Sequence, residues 1–170
     1  MGGMIAQEIA LDHPLRVKKL VLGGTSAGGK EQIRPVPEIE AYMQPRLDLT
    51  AQGYMWWCAP AVYTQEFIYE HPEIIERKIQ DNLAYPSQLY AYEAQLAALR
   101  AHDSYSRLPS IHAKTLVLTG NRDVLFPPDN SCIIAKQIPG AQLEVIEGAG
   151  HLFWISHPKE TLHALTSFRG

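Results

Sequence analysis

Lys114-Thr-Leu-Val-Leu-Thr-Gly120, Asn121-Arg-Asp123-Val-Leu-Phe-Pro127-Pro128 and Leu143-Glu-Val-Ile-Glu147-Gly-Ala-Gly150-His151 are the three stretches on which the architecture turns. The first is a short apolar run rich in β-branched residues and closed by glycine, which reads as a buried strand. The second is a loop, with prolines that keep a helix from starting before Pro128. Between the second and third, Ser131, Ile133, Ile134 and Ile138 continue a helix that Pro139-Gly140 stops. Asp129 sits where a helix cap would. The third is again a strand, and it leaves through a glycine-rich turn. An acid therefore lies just past one strand and a histidine just past the next, with one helix between them.

Upstream, Met1-Gly-Gly-Met-Ile-Ala-Gln-Glu-Ile-Ala-Leu-Asp-His13 predicts a helix with Ile5 and Ile9 on one face and Gln7, Glu8 and Asp12 opposite. Pro14 closes it, and residues 17–22 (Val-Lys-Lys-Leu-Val-Leu) read as a strand. The expected architecture is α/β. Three strands (17–22, 114–119 and 142–147) form a mainly parallel sheet flanked by helices, and the right-handed crossover rule sets its sense.

Residues 114–154 resemble the α/β-hydrolase family, in particular its esterase, enol-lactonase and C–C hydrolase members. The residues that carry the resemblance are Asp123 in a Gly-x-x-Asp-x-x-x-Pro context, the Gly150-His151 turn, and the order of acid before histidine. By that resemblance Asp123 is the triad acid, which accepts the imidazole Nδ1–H and fixes the tautomer, and His151 is the general base. The other reading of Asp123 is that it merely organises its turn. Of the seven histidines, His151 alone sits at a strand's C-terminal exit.

The opening Gly2-Gly3 and the alanine-bearing helix resemble the segment directly behind the G-x-S-x-G elbow in the family. Met1 then falls on the residue after the serine, where its N–H serves the oxyanion hole, and the serine falls one place before residue 1. The expectation is a partial α/β-hydrolase fold, the C-terminal portion of a hydrolase or a truncated homologue, with weak or no activity alone. A rival nucleophile is Ser26, because Gly24-Thr25-Ser26-Ala27-Gly28 matches G-x-S-x-G literally and comes after a strand. The elbow needs a helix directly behind the serine, whereas Pro35 and Pro37 come close behind this one. Ser26 is therefore expected in the loop after the strand.

Residues 35–107 change texture, with helical patterns throughout and no β-branched runs. Helices are expected over 37–47, 64–69, from Pro72 through Ile79, and over 86–102, the last with Ser87 near its start and Leu89, Tyr92, Leu96 and Leu99 on one stripe. The segment resembles the family's helical lid, so 1–34 and 108–170 are assigned to the core and 35–107 to the lid. Tyr54, Trp56, Trp57, Tyr63, Phe67 and Tyr69 crowd into it. Either they roof a substrate chamber, with Trp56 or Trp57 facing inward and Trp154 joining from the histidine turn, or they fill the lid's own core. Residues 158–168 predict an amphipathic helix with Leu162, Leu165 and Phe168 on its apolar side.

Composition narrows the function classes. A 170-residue chain that is 46% hydrophobic with net charge −3 suits one globular domain. Its scattered basic residues do not form a nucleic-acid patch, and no apolar stretch approaches a membrane span. Cys58 and Cys132 fit no metal spacing and read as free thiols, which points to the cytoplasm. No cofactor or metal is expected. The partners expected are a small ester or lactone substrate and a second copy of the chain, joined through the strand at 17–22, whose outer edge would otherwise stay unpaired.

Overall fold

The computed structural model describes residues 1–86 and 88–168. The chain runs α1 (Gly2–Asp12), β1 (Lys19–Gly23), α2 (Pro37–Tyr42), α3 (Ala51–Val62), α4 (Gln65–Glu70), α5 (Pro72–Leu83), α6 (Leu89–Ala101), β2 (Lys114–Gly120), α7 (Asp129–Gln137), β3 (Gln142–Ile146), α8 (Phe153–Ser156) and α9 (Pro158–Ser167). Among the described residues the strands form one parallel sheet in the order β1-β2-β3. Lys19 pairs with Lys114 and Leu116 with Gln142. This is the α/β sheet the sequence predicts.

β2 is the central strand, and its residues alternate between two cores. Val117 joins Leu20, Leu22, Ala10, Ile134 and Ile138 on the face covered by α1 and α7. Leu116 and Leu118 join Ile146, Phe153 and Ala164 on the face covered by α8 and α9. Burial on both faces accounts for the unbroken apolar run at 116–118, which polar alternation would have broken.

Helices α2 to α6 lie between β1 and β2 and hold a core of their own around Ala59, Tyr63, Phe67, Ile75 and Ile79. A seam of Met4, Leu125 and Phe126 against Met43, Val62 and Leu99 fastens them to the sheet's C-terminal end. Of these helices, α2 stops at Tyr42 instead of reaching residue 47, and α6 begins at Leu89. Ser87, expected near that start, lies outside the described residues.

Two helices are rotated from the predicted faces. α1 buries Met4, Gln7 and Ala10 and leaves Ile5 and Ile9 about half exposed. The cause is Gln7. Its Nε2 donates to Ser26 O at 3.0 Å, and its Oε1 accepts from Ser104 Oγ at 2.6 Å. The amide thus joins three segments and is better satisfied inside than in water. α9 likewise buries Thr161 and Ala164 and turns Leu162 and Leu165 outward. Small residues let the helix approach the sheet, and the Thr161 hydroxyl is satisfied on His157 O at 2.8 Å. No helix among the described residues is long and apolar enough to cross a membrane.

Candidate active site

Asp123 and His151 leave the C-terminal ends of β2 and β3, neighbours in the sheet. Several backbone contacts hold the two exits together. Asn121 N donates to Ile146 O and Arg122 N to Ala149 O, while the Asn121 side chain accepts from Gly148 N at 2.8 Å and donates to Glu147 Oε2. Gly120 makes this crossing possible. A Cβ there would stand 2.2 Å from Ala149 O and 2.5 Å from Gly150 O, so any side chain would push the histidine turn away from the acid.

The result is a close pair: His151 Nδ1 lies 2.8 Å from Asp123 Oδ2. A carboxylate can only accept, so Nδ1 carries the hydrogen and Nε2 is left as the basic nitrogen. The Asp123 side chain is fully buried and that of His151 keeps 15% exposure. The burial of a charge is compensated, because Asp123 Oδ1 also accepts from Leu125 N at 2.9 Å and Phe126 N at 2.8 Å. Both uses of this aspartate weighed from the sequence, turn organiser and imidazole partner, are therefore made by one carboxylate, an oxygen each. Asp129 is the first residue of α7 and makes no capping bond, since the loop ahead of α7 is already fixed by Asp123 and by Asn130 on Pro127 O.

Around the imidazole, Phe126 stacks with ring centroids 5.5 Å apart, and Trp154 stands edge-on at 6.2 Å. Gly24, with φ +50°, lies opposite, where a Cβ would come within 3.0 Å of the ring. The next residue, Thr25, touches the first turn of α1. A Cβ on Gly3 would be 2.6 Å from Thr25 Cβ. The head of α1, with its N–H groups and dipole, and His151 thus stand on two sides of residues 24–25. Met1 is at that head, its carbonyl accepting from Met4 and Ile5; burial lowers its amine pKa.

Ser26 lies in the loop after β1 and is fully buried. Its hydroxyl accepts from Gly28 N at 3.3 Å, and no hydrogen bond among the described residues joins it to His151. No helix continues it beyond a single 3-10 turn at Gly29–Glu31. Trp56 donates its indole N–H to Glu76 Oε2 at 2.9 Å and packs against the core of the α2–α6 segment. Trp57 is on the outside, under Arg46 and beside Tyr42. Neither indole lines the two cavities inside that segment, whereas Tyr54, Tyr63 and Tyr92 do. Phe126 was not singled out in the sequence; its place three residues after the acid is the signal that would have found it.

The segment α2–α6 meets the histidine turn directly. Leu152 N donates to Val62 O at 3.0 Å, and Arg122 pairs with Glu66 at 3.0 Å across exposed surface. A separate cluster lies on the far side of α1. Glu8 holds Arg107 through two bonds of 2.7 and 2.6 Å and stands 3.3 Å from His102 Nδ1. The bonds from Arg107 hold the Glu8 carboxyl below its usual range, and desolvation lowers the pKa of His102.

Comparison with known proteins agrees with the fold. A family model described as the alpha/beta hydrolase fold matches residues 1–158. A poly(3-hydroxyalkanoate) depolymerase of Ectopseudomonas oleovorans is 32% identical, over 98% of this chain and 57% of its own length. Among solved structures, a hydrolase from Pseudomonas aeruginosa PA01 superposes with TM-score 0.77 at 26% identity, covering 98% of this chain and 60% of that one. A thermophilic esterase from Thermogutta terrifontis does so with TM-score 0.74 at 28% identity, covering 97% and 60%. The chain thus spans less than two thirds of the length of each of these relatives.

Proposed function

This chain belongs to the α/β hydrolase fold family, and on that footing we propose that its site serves hydrolysis of a small ester or lactone by a Ser-His-Asp mechanism. His151 Nε2 takes the proton of the attacking serine and returns it to the leaving group. Asp123 keeps Nδ1 protonated and stabilises the imidazolium. The single observation that carries this reading is the 2.8 Å contact between His151 Nδ1 and a fully buried Asp123 carboxylate at adjacent strand exits. An esterase among the similar structures supports the substrate class. The family pattern puts the serine directly ahead of the residue at position 1, and the Met1 N–H beside the oxyanion. The helices at 35–107 act as the lid over the site, supported by the seam to Phe126. Two free cysteines support a cytoplasmic protein.

In these 170 residues by themselves Ser26 is enclosed and bonded to Gly28, so we expect little or no turnover from them. Loss of the nucleophile alone removes nearly as much rate as loss of a whole triad. The test is hydrolysis of p-nitrophenyl acetate by the chain and by its His151→Ala and Ser26→Ala variants. Absent turnover fits the proposal, whereas turnover kept without Ser26 would point to histidine acting alone or to a contaminant. Turnover lost in Ser26→Ala would make Ser26 the nucleophile and overturn it.

A second reading is favoured by one observation: the outer edge of β1 has no strand partner among the described residues, and Val21 on it is 41% exposed. On this reading the chain associates with a second copy along that edge, with or without catalysis.

A further inference from the structure

Asn130 is the second residue of α7, and it is only 1% exposed. An amide taken that far out of water needs partners for its polar atoms, and this one has three bonds. Its Oδ1 accepts from Ile33 N at 2.9 Å, and its Nδ2 donates to Ile33 O at 2.8 Å and to Pro127 O at 3.1 Å. Both backbone groups of Ile33 are thus taken by one side chain, much as a neighbouring strand would take them. The Ile33 side chain is itself 43% exposed, so apolar burial is not what holds this stretch. The connection from β1 to α2 is fastened by a residue 97 positions further along the chain.

The other end of this clamp is the loop that carries the acid. The loop's start is fixed by Asp123 Oδ1, which accepts from Leu125 N and Phe126 N. Its end is fixed at Pro127 O, which accepts from Asn130 through the backbone N at 2.9 Å as well as through Nδ2. Phe126 lies between the two anchors, with its ring stacked on His151. Packing alone does not hold that ring. Leu125 and Phe126 border a hollow of about 110 Å³, and Gln32, Arg34 and Pro35, on either side of Ile33, form another part of its wall. A side chain beside a hollow lacks contacts on that side, so it keeps its place only as firmly as its backbone is held.

We propose that Asn130 is a positioning residue for the His151–Asp123 pair. By tying Ile33 to Pro127 it steadies the acid loop and keeps Phe126 on the imidazole. The imidazole is thereby confined to the orientation in which Nδ1 meets Asp123 Oδ2. Asn130 acts through the loop and makes no hydrogen bond to either member of the pair among the described residues. The proposal rests on the reading of that pair as hydrolytic, and it names what keeps the pair aligned. A general base must already stand in its working geometry for its effect to be realised.

Nuclear magnetic resonance of His151 reads this positioning without turnover. One signal is the ring-current shift that Phe126 imposes on the imidazole Cε1–H, calibrated with Phe126→Leu. The other is the exchange of Nδ1–H with water. Asn130→Ala should move the first most of the way to its Phe126→Leu value and speed the second by about tenfold, as local opening becomes easier. Ile33→Pro removes the N–H that Oδ1 accepts, from an exposed position in another segment, and should move both signals in the same direction. It carries the test if Asn130→Ala fails to fold. Ile134→Ala is the control for a purely structural role, because it opens a cavity in the core that α7 covers and leaves the clamp intact. Both signals should stay at parent values there, although the protein is less stable. Parent-like signals in folded Asn130→Ala or Ile33→Pro, or an equal change in Ile134→Ala, would overturn the inference. Signals that follow Asn130 while His151→Ala leaves ester turnover of catalytically competent protein unchanged keep the clamp and remove the triad. Signals blind to Asn130, with turnover that needs His151, do the reverse.

Discussion

Asp123 commits one carboxylate oxygen to its own loop and the other to His151, so substitutions there separate folding from chemistry. Asp123→Asn keeps an acceptor for the loop but can no longer hold Nδ1–H in place. We expect nitrogen chemical shifts of His151 to show loss of the Nδ1–H tautomer, and hydrolysis in catalytically competent protein to fall on the order of 10⁴-fold in kcat. Asp123→Ala strands two buried N–H groups as well, and denaturant titration should show a loss of about 3 kcal/mol. A second residue-scale prediction concerns acid. His102 is buried beside Glu8, with Asp103, Arg107 and the N-terminal amine also acting on it; desolvation dominates and lowers its pKa below the usual 6.5. The unfolded chain therefore binds this proton more readily. The stability tied to neutral His102 is complete above about pH 6.5 and is lost as pH falls through the folded-state pKa. Thermal melts of His102→Asn between pH 7 and pH 5 should fall less steeply than those of the parent; parallel slopes would remove His102 as the cause.

At the scale of elements, strands and helix order were legible in the sequence, while helix faces were not. β2 was readable because a strand buried on both sides keeps an apolar centre, here Leu116, Val117 and Leu118, and a glycine had to end it where Ala149 O and Gly150 O press close. α1 misled because Ile5 and Ile9 carry the largest apolar side chains near its middle, yet Gln7 is the residue held inside. Periodicity ranks side chains by their cost in water and takes no account of a distant acceptor such as Ser26 O. The same weakness hid α3, where Gly53 and Pro60 break the helical texture although Thr50 caps its start by accepting from Gly53 N. The meeting of Asp123 and His151 was legible because each stands at a strand end within a few residues of glycine or proline; Phe126 is three residues past Asp123, but only tertiary packing sets its ring on the imidazole. If the Gln7 amide is the tie between α1, the 24–28 loop and Ser104, Gln7→Leu should lower unfolding free energy by about 1–3 kcal/mol through the stranded Ser26 carbonyl, since Ser104 Oγ keeps Ala27 O at 3.2 Å. Urea titration showing no change would mean that water replaces the bridge.

For the whole molecule, the sheet order leaves β1 at one end and β3 at the other, and the two ends differ in what they offer. β3 exposes Glu144 between Leu143 and Val145, with Glu147 just beyond, while β1 carries exposed Val21 with the half-exposed Ile5 and Ile9 on the preceding helix. Lysines occupy the start of β1, a usual guard on an open edge, but its centre is apolar. An antiparallel two-fold pairing about Val21 sets Leu20 against the partner's Leu22 and Lys19 against the partner's Gly23. The lysines of the two copies then lie at opposite ends instead of facing each other. Light scattering behind size exclusion should therefore report a dimer at micromolar concentration. The midpoint of urea unfolding should rise with protein concentration, as association with the folded state requires. Val21→Lys puts two ammonium groups at the axis and should return the chain to monomer without disturbing the His151–Asp123 pair. A parent that elutes as a clean monomer, or a Val21→Lys variant that stays dimeric, would show that the edge of β1 joins nothing in solution.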